Sequence, residues 1–283
     1  MPDTPWRDTV GTGNPSVPTV FFLSDSTGIT AETLGNTLLT QFPTQRLERR
    51  TIPFITTIEQ AREVVALIDR VAATGPRPIV FSTTVSLDVR AVLARSRGHF
   101  FDLIGTHLGQ LEQALHASAS GQPGQAHGLG DAVRYQSRMA AVEYAIEHDD
   151  GQSLRALERA ELILIAPSRC GKTPTTMYLA LQHGILAANF PLVEEDFESL
   201  SLPKPLLPFA RKCFGLTSLP VRLSQIRQER RPGSNYASLN QCTFELRNAE
   251  DMYRVNAIPF VNSASMSVEE ISATVLQRME LHH

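Results

Sequence analysis

The sequence predicts an α/β protein with mainly parallel sheets flanked by helices. Two observations carry this. Short apolar runs without helical periodicity recur along the chain and end in small-polar turns, and segments with helical spacing alternate with them. The apolar runs are unbroken rather than alternating, as befits parallel strands covered on both faces.

In order, the first strand is Thr19-Val20-Phe21-Phe22-Leu23, ended by Ser24-Asp25-Ser26-Thr27-Gly28 and followed by a helical stretch from Ala31 to Gln41. Ile52 to Ile55 reads as a short strand. Thr57 with Gln60 forms a capping box for a helix that places Ile58, Ala61, Val65 and Ile68 on one face. Pro78 to Phe81 is a further strand, followed by a helix through Val89 and Leu93. From Ser118 to Gly130 the chain is polar and glycine-rich, a loop or hinge. A helix from Tyr135 to Glu147 stops at His148-Asp149-Asp150-Gly151, and Leu162-Ile163-Leu164-Ile165 is the clearest buried strand. Later strands fall at Phe190 to Val193 and Ile258 to Val261. The last helix opens with a Ser267/Glu270 capping box and turns Val268, Ile271 and Val275 inward. The division this suggests is a flexible leader at 1–18, an α/β domain at 19–150 and a second domain at 151–283.

The 283 residues suffice for one large core or two ordinary ones, and 42% apolar with 19% charged residues excludes wholesale disorder. A net charge of −3 argues against a dedicated nucleic-acid binder. Three cysteines without CxxC spacing argue against a disulfide framework or a four-thiolate zinc site, and point to a reducing compartment. The polar first residues lack a signal pattern and no apolar run spans a membrane, so a cytoplasmic protein is expected.

The strand Leu162–Ile165 runs into Ala166-Pro167-Ser168-Arg169-Cys170-Gly171-Lys172-Thr173, a P-loop pattern in which Ala166 replaces the first glycine. Such a loop turns backbone N–H groups onto a phosphate, and the following helix adds the positive end of its dipole. Gly171 allows close backbone approach, Lys172 can reach a β-phosphate, and the Thr173 hydroxyl can ligate Mg²⁺. Pro174 sits in the first helical turn, where a missing N–H costs little. The C-terminal domain is therefore read as a P-loop-type nucleotide-binding domain; the competing reading is a strand–turn–helix junction with an exposed lysine.

Ser24–Gly28 admits two readings, a second phosphate-competent turn or an N-capping turn. Asp25 resembles a strand-end metal-ligating carboxylate. Glu194, Glu195 and Asp196 follow a strand, as the carboxylate that holds Mg²⁺ at one remove does, and Asp149 and Asp150 close a helix beside His148; Asp196 is the chosen candidate, and a solvated acidic surface is the alternative. Arg222, Arg227, Arg230 and Arg231 have helical spacing and form either a solvated face or a dock for an acidic or phosphorylated partner. His127 in the glycine-rich loop is a candidate base or phosphate contact. A cysteine phosphatase built on Cys170 would need an arginine where Thr176 stands.

Several segments resemble one family. These are Leu23-Ser24-Asp25-Ser26-Thr27-Gly28-Ile29-Thr30-Ala31-Glu32, His148-Asp149-Asp150-Gly151, Ser168-Arg169-Cys170-Gly171-Lys172-Thr173-Pro174-Thr175, Phe214-Gly215-Leu216-Thr217, Ile226-Arg227, Tyr236-Ala237 and Ser267-Val268-Glu269-Glu270-Ile271. In the same order, from about Val20 to the last helix, they resemble the phosphoenolpyruvate synthase regulatory proteins. The resemblance implies a bifunctional serine/threonine kinase and pyrophosphorylase. ADP would give its β-phosphoryl to a threonine of the target and leave AMP, inactivating the target. Inorganic phosphate would reverse this by phosphorolysis, releasing pyrophosphate. The implied target is phosphoenolpyruvate synthase, or in relatives pyruvate phosphate dikinase, and the resemblance also implies a homodimer. The family's nucleotide loop carries over onto Ala166 through Thr173, although Ala166-Pro167 departs from the usual Gly-Val. Beside it, Lys172 and Arg169 would stabilise the transferring group, Thr173 and Asp196 would share Mg²⁺, and Asp25 or His127 would be the base. The rival class is a nucleotide-binding switch that transfers nothing; a small-molecule kinase is a third.

Overall fold

The computed structural model describes residues 17–122, 131–151 and 155–281. The chain divides into two compact units, Met1–Gly128 and Leu129–His283. Each contains a four-stranded, all-parallel sheet with helices on both faces, and the two sheets share one strand order.

In the first unit β1 (Thr19–Leu23) lies between β2 (Glu48–Ile52) and β3 (Ile79–Ser82), with β4 (His99–Asp102) at the far edge. All of β1 is buried, as its unbroken apolar run requires. Phe21, Leu23 and Val80 face α2 (Ile58–Thr74) and α3 (Leu87–Leu93); Val20, Phe22 and Phe81 face α1 (Ile29–Leu39). Helix α4 (Gly105–Leu115) completes the unit. The expected box at Thr57 and Gln60 caps α2, and that helix buries Ala61, Val64, Leu67 and Ile68 while Ile58 and Val65 stay half-buried.

In the second unit β5 (Leu162–Pro167) lies between β6 (Ala187–Leu192) and β7 (Cys213–Thr217), with β8 (Phe260–Asn262) outermost. Ile163 and Ile165 pack with Ala249, Met252 and Tyr253 of α8 (Leu239–Val255), whereas Leu162 and Leu164 share a cluster with Leu179 of α6 (Lys172–His183) and Ile271 and Val275 of α9 (Val268–Arg278). The buried Tyr253 hydroxyl lies 2.8 Å from the Ile165 carbonyl oxygen and 3.2 Å from that of Leu216, linking β5 to β7. A Cβ on Gly215 would stand 2.6 Å from the Tyr253 ring, so only glycine fits there. The Ser267/Glu270 capping box opens α9 as expected.

The structure shifts several expected boundaries. β2 lies earlier than Ile52–Ile55, because Glu48 to Ile52 pair in register with Thr19 to Leu23. Helix α5 (Asp131–Glu147), which a division near residue 150 would assign to the first domain, lies in the second unit. There Ala141 and Ala145 pack on Ala180 of α6. Most of the leader and the glycine-rich segment around His127 lie outside the described residues.

Candidate phosphate-binding site

In each sheet the neighbouring first and third strands send their connections to opposite sides, which opens a crevice at their C-terminal ends. In the second unit the segment at that point is Ala166–Thr173. β5 ends at Pro167, Gly171 is the left-handed N-cap of α6 at φ 92°, and Pro174 falls in the first turn as expected. Arg169 also adopts a left-handed φ of 74° without being glycine, a strained conformation of the kind that clusters at functional sites. Its side chain belongs to an exposed residue.

Lys172 is not the exposed lysine of the competing reading. It is 4% exposed, and its Nζ donates to the carbonyls of Ala166 at 3.2 Å and Pro167 at 3.4 Å. Burial draws its pKa below the ordinary lysine value, with the Asp150 and Asp149 carboxylates acting in the opposite direction. An anion bound beside this ammonium would favour its charged form. Cys170 is also buried, and burial pushes its thiol up to about 12, so it is protonated at neutral pH and unsuited to nucleophilic attack. The Ser263 hydroxyl lies 3.0 Å from both the Cys170 and Thr217 carbonyl oxygens, tying the loop to the end of β7.

The Thr173 hydroxyl donates to Asp149 Oδ1 at 2.8 Å. Asp196, the expected carboxylate, instead accepts the Val193 N–H at 2.9 Å, which caps a 3₁₀ turn. Asp149 is held by Asn189 of β6: the Asn189 amide donates to Asp149 Oδ1, its carbonyl oxygen accepts the Asp150 N–H at 2.9 Å, and its backbone N–H reaches the His148 carbonyl at 3.1 Å. The His148 ring stacks on Tyr144 at 3.9 Å, with its nitrogens 2.8 and 2.6 Å from the Tyr144 and Arg155 carbonyls. Sequence reasoning missed Asn189, although a buried amide inside an apolar strand is a detectable signal.

Arg227 departs from the expected basic face. Rather than joining an exposed basic face, it is fully buried on α7 (Pro220–Arg230) and pairs with Glu245 of α8 at 2.6 Å. Beside it a cleft of about 310 Å³ is lined by residues including Ser168, Leu192, Tyr236 and Gln241.

Among the described residues no three His, Cys, Asp or Glu side chains gather as a metal cage. A nucleotide-bound Mg²⁺ needs only one or two protein oxygens beside phosphate and water, and the paired Thr173 hydroxyl and Asp149 carboxylate are hard oxygen donors of that kind.

In the first unit, Ser24–Gly28 occupies the equivalent crevice. The helix N-cap is Gly28 at φ 86°, with no side-chain capping bond, so the Ser, Asp and Thr side chains do not cap α1. Asp25, 8% exposed, accepts the Val85 N–H at 2.8 Å and thereby joins the ends of β1 and β3. A cleft of about 450 Å³ opens here, lined by hydroxyls including Ser26 and Thr30 and by Ile104 and Leu108.

Comparisons with known proteins identify the family. A family model described as kinase/pyrophosphorylase matches residues 20–276. A protein of Pseudomonas aeruginosa (strain LESB58) named "Putative phosphoenolpyruvate synthase regulatory protein" is 50% identical over 259 residues, 91% of this chain and 94% of its own. Proteins of the same name from Bordetella parapertussis and Pseudomonas fluorescens are 45% and 48% identical, covering 95% and 90% of this chain and 98% and 94% of theirs. Among the described residues no helix is long and apolar enough to cross a membrane. The matched span covers most of both units, and the chain belongs to the kinase/pyrophosphorylase family.

Proposed function

We propose that this protein regulates phosphoenolpyruvate synthase by moving a phosphoryl group onto and off a threonine of that enzyme. The observation that carries the reading is the second unit's loop, with a buried lysine, a left-handed glycine at a helix N-terminus and a threonine hydroxyl on a carboxylate. Phosphoryl transfer asks a protein mainly to position groups and neutralise charge, and these are the parts that do so.

In the kinase direction the threonine oxygen attacks the β-phosphorus of ADP. The bond from that phosphorus to the bridging oxygen breaks, AMP departs with the oxygen, and the threonine proton passes to a base. In the opposite direction an oxygen of inorganic phosphate attacks the phosphothreonine. The threonine oxygen leaves and takes up a proton, and pyrophosphate forms. Backbone N–H groups of the loop and Lys172 hold the diphosphate, while exposed Arg169 meets the oxygens of the transferring group. Thr173 and Asp149 would hold Mg²⁺, which when bound supplies charge neutralisation at the phosphate oxygens. For the base we assign Asp150, exposed and near enough to Lys172 for their charges to interact. The relatives' name supports the target, and the free cysteines suit the reducing cytoplasm.

The test is incubation with Mg²⁺, ADP labelled at the β-phosphate and purified phosphoenolpyruvate synthase, with and without the synthase's own catalytic phosphate. Pyruvate phosphate dikinase and Lys172→Ala serve as controls. Label on a synthase threonine with stoichiometric AMP is expected. ADP binding without label on either target would replace the transferase with a nucleotide-binding switch.

A further inference from the structure

Arg227 is the largest fully buried side chain among the described residues, and its environment assigns it a task. A guanidinium has five N–H donors. Here Nε reaches the Ser168 carbonyl at 3.3 Å and Nη2 reaches the same oxygen at 3.0 Å. Nη2 also meets Glu245 Oε2 at 2.6 Å, while Nη1 meets Glu245 Oε1 at 3.2 Å and the Tyr236 carbonyl at 3.0 Å. The Tyr236 ring lies 4.1 Å from the guanidinium carbon, and the Tyr236 and Ser168 hydroxyls are 3.0 Å apart.

Every donor is therefore engaged within the protein, so Arg227 has none left for a phosphate unless one of these bonds breaks. Its contacts converge instead on Ser168, the residue before the left-handed Arg169. We propose that Arg227, oriented by Glu245 and Tyr236, is a positioning residue that clamps the Ser168 peptide and so sets the phosphate loop in its anion-receiving conformation. Glu245 fixes the plane of the fork, and the Tyr236 hydroxyl holds the Ser168 side chain as the guanidinium holds its carbonyl. A lysine could keep the charge opposite Glu245 but lacks the planar fork that joins α7, α8 and the loop. The proposal rests on the reading of Ala166–Thr173 as a phosphate cradle.

The experiment measures calorimetric affinity for ADP and for inorganic pyrophosphate in wild type, Arg227→Lys, Tyr236→Phe, Ser168→Ala and the Ser168→Ala/Tyr236→Phe double variant, with melting midpoints alongside. Pyrophosphate is included because it probes the cradle without a nucleoside. Losing charge-assisted bonds to the loop should weaken both ligands in parallel, about tenfold in Arg227→Lys. Tyr236→Phe should weaken both about threefold at an unchanged melting midpoint, a separation that a purely structural role would not give. The double variant should lose no more than the worse single variant, since both remove one bond. If Arg227→Lys does not fold, the other three variants decide. Wild-type affinity for both ligands in the folded variants, or a loss confined to ADP, overturns the clamp. Failure of the wild-type protein to bind either ligand overturns the phosphate-cradle reading itself, and the clamp with it.

Discussion

The two strand–turn–helix segments at the sheet crevices share a backbone solution and differ in chemistry. Each follows the first strand of a sheet with the same strand order, and each enters its helix through a left-handed glycine, Gly28 at φ 86° and Gly171 at φ 92°. Aligning these glycines sets Ile29 against Lys172, Thr30 against Thr173 and Asp25 against Ser168. In the first unit the residue after the glycine is an isoleucine, 67% exposed, and Thr30 is exposed. In the second it is a buried lysine, the threonine meets Asp149, and Arg227 grips the loop from behind. A turn of this shape is thus a consequence of the α/β fold. The phosphate chemistry we propose comes from the lysine, the carboxylate and the clamp added to it.

The largest effect expected from this contrast is on transfer. Lys172→Ala should lower it about 10³-fold or more, while Ile29→Ala should leave it within about twofold. Phosphoryl-transfer assays on both variants check this, and equal losses would break the contrast. Next comes the acid: Asp149→Asn should reduce Mg²⁺-dependent transfer about 10- to 100-fold. Asp196→Ala should cost only about 0.5–1 kcal/mol of stability through its lost cap, read by chemical denaturation. The glycines sharpen the comparison in the other direction. A Cβ on Gly171 meets nothing within 4 Å, whereas one on Gly28 would stand 2.7 Å from Thr51 Cγ2. Gly171→Ala should therefore cost about 1 kcal/mol from its left-handed backbone alone, and Gly28→Ala about 2 kcal/mol or more. The smallest effect concerns thiols. All three cysteines are buried, and Cys170 and Cys213 are both pushed up to about 12 by burial. A thiol reagent at pH 8 should thus modify none of them before unfolding and all three after it.

Much of this was legible in the sequence because the signals are local. β1, β3 and β5 announce themselves as unbroken apolar runs, and the caps at Thr57 and Ser267 involve residues only three apart. The loop from Ala166 to Thr173 was visible for the same reason. What escaped depends on partners distant in sequence. β2 has alternating exposure at the sheet edge, so its extent is fixed by register with β1 rather than by its own composition. The sequence offers both Asp149 and Asp196, and only the fold shows that Asn189 on a neighbouring strand holds Asp149 beside Thr173 while Asp196 accepts a backbone N–H of its own turn. Helical spacing placed Arg227 among exposed arginines, since nothing local reveals that Glu245 and Ser168 draw it inward.

The central claim is that one loop, in the second unit, serves both directions of transfer. The most direct test supplies phosphothreonine-labelled synthase and inorganic phosphate to the wild-type protein and to Lys172→Ala, and follows the label by phosphorus NMR or thin-layer separation. Label is expected in pyrophosphate with the wild type, and that product should be lost in the same variant that loses transfer from ADP. Pyrophosphate formed at the wild-type rate by Lys172→Ala, with transfer from ADP abolished, would contradict the claim and place the phosphate-accepting site elsewhere.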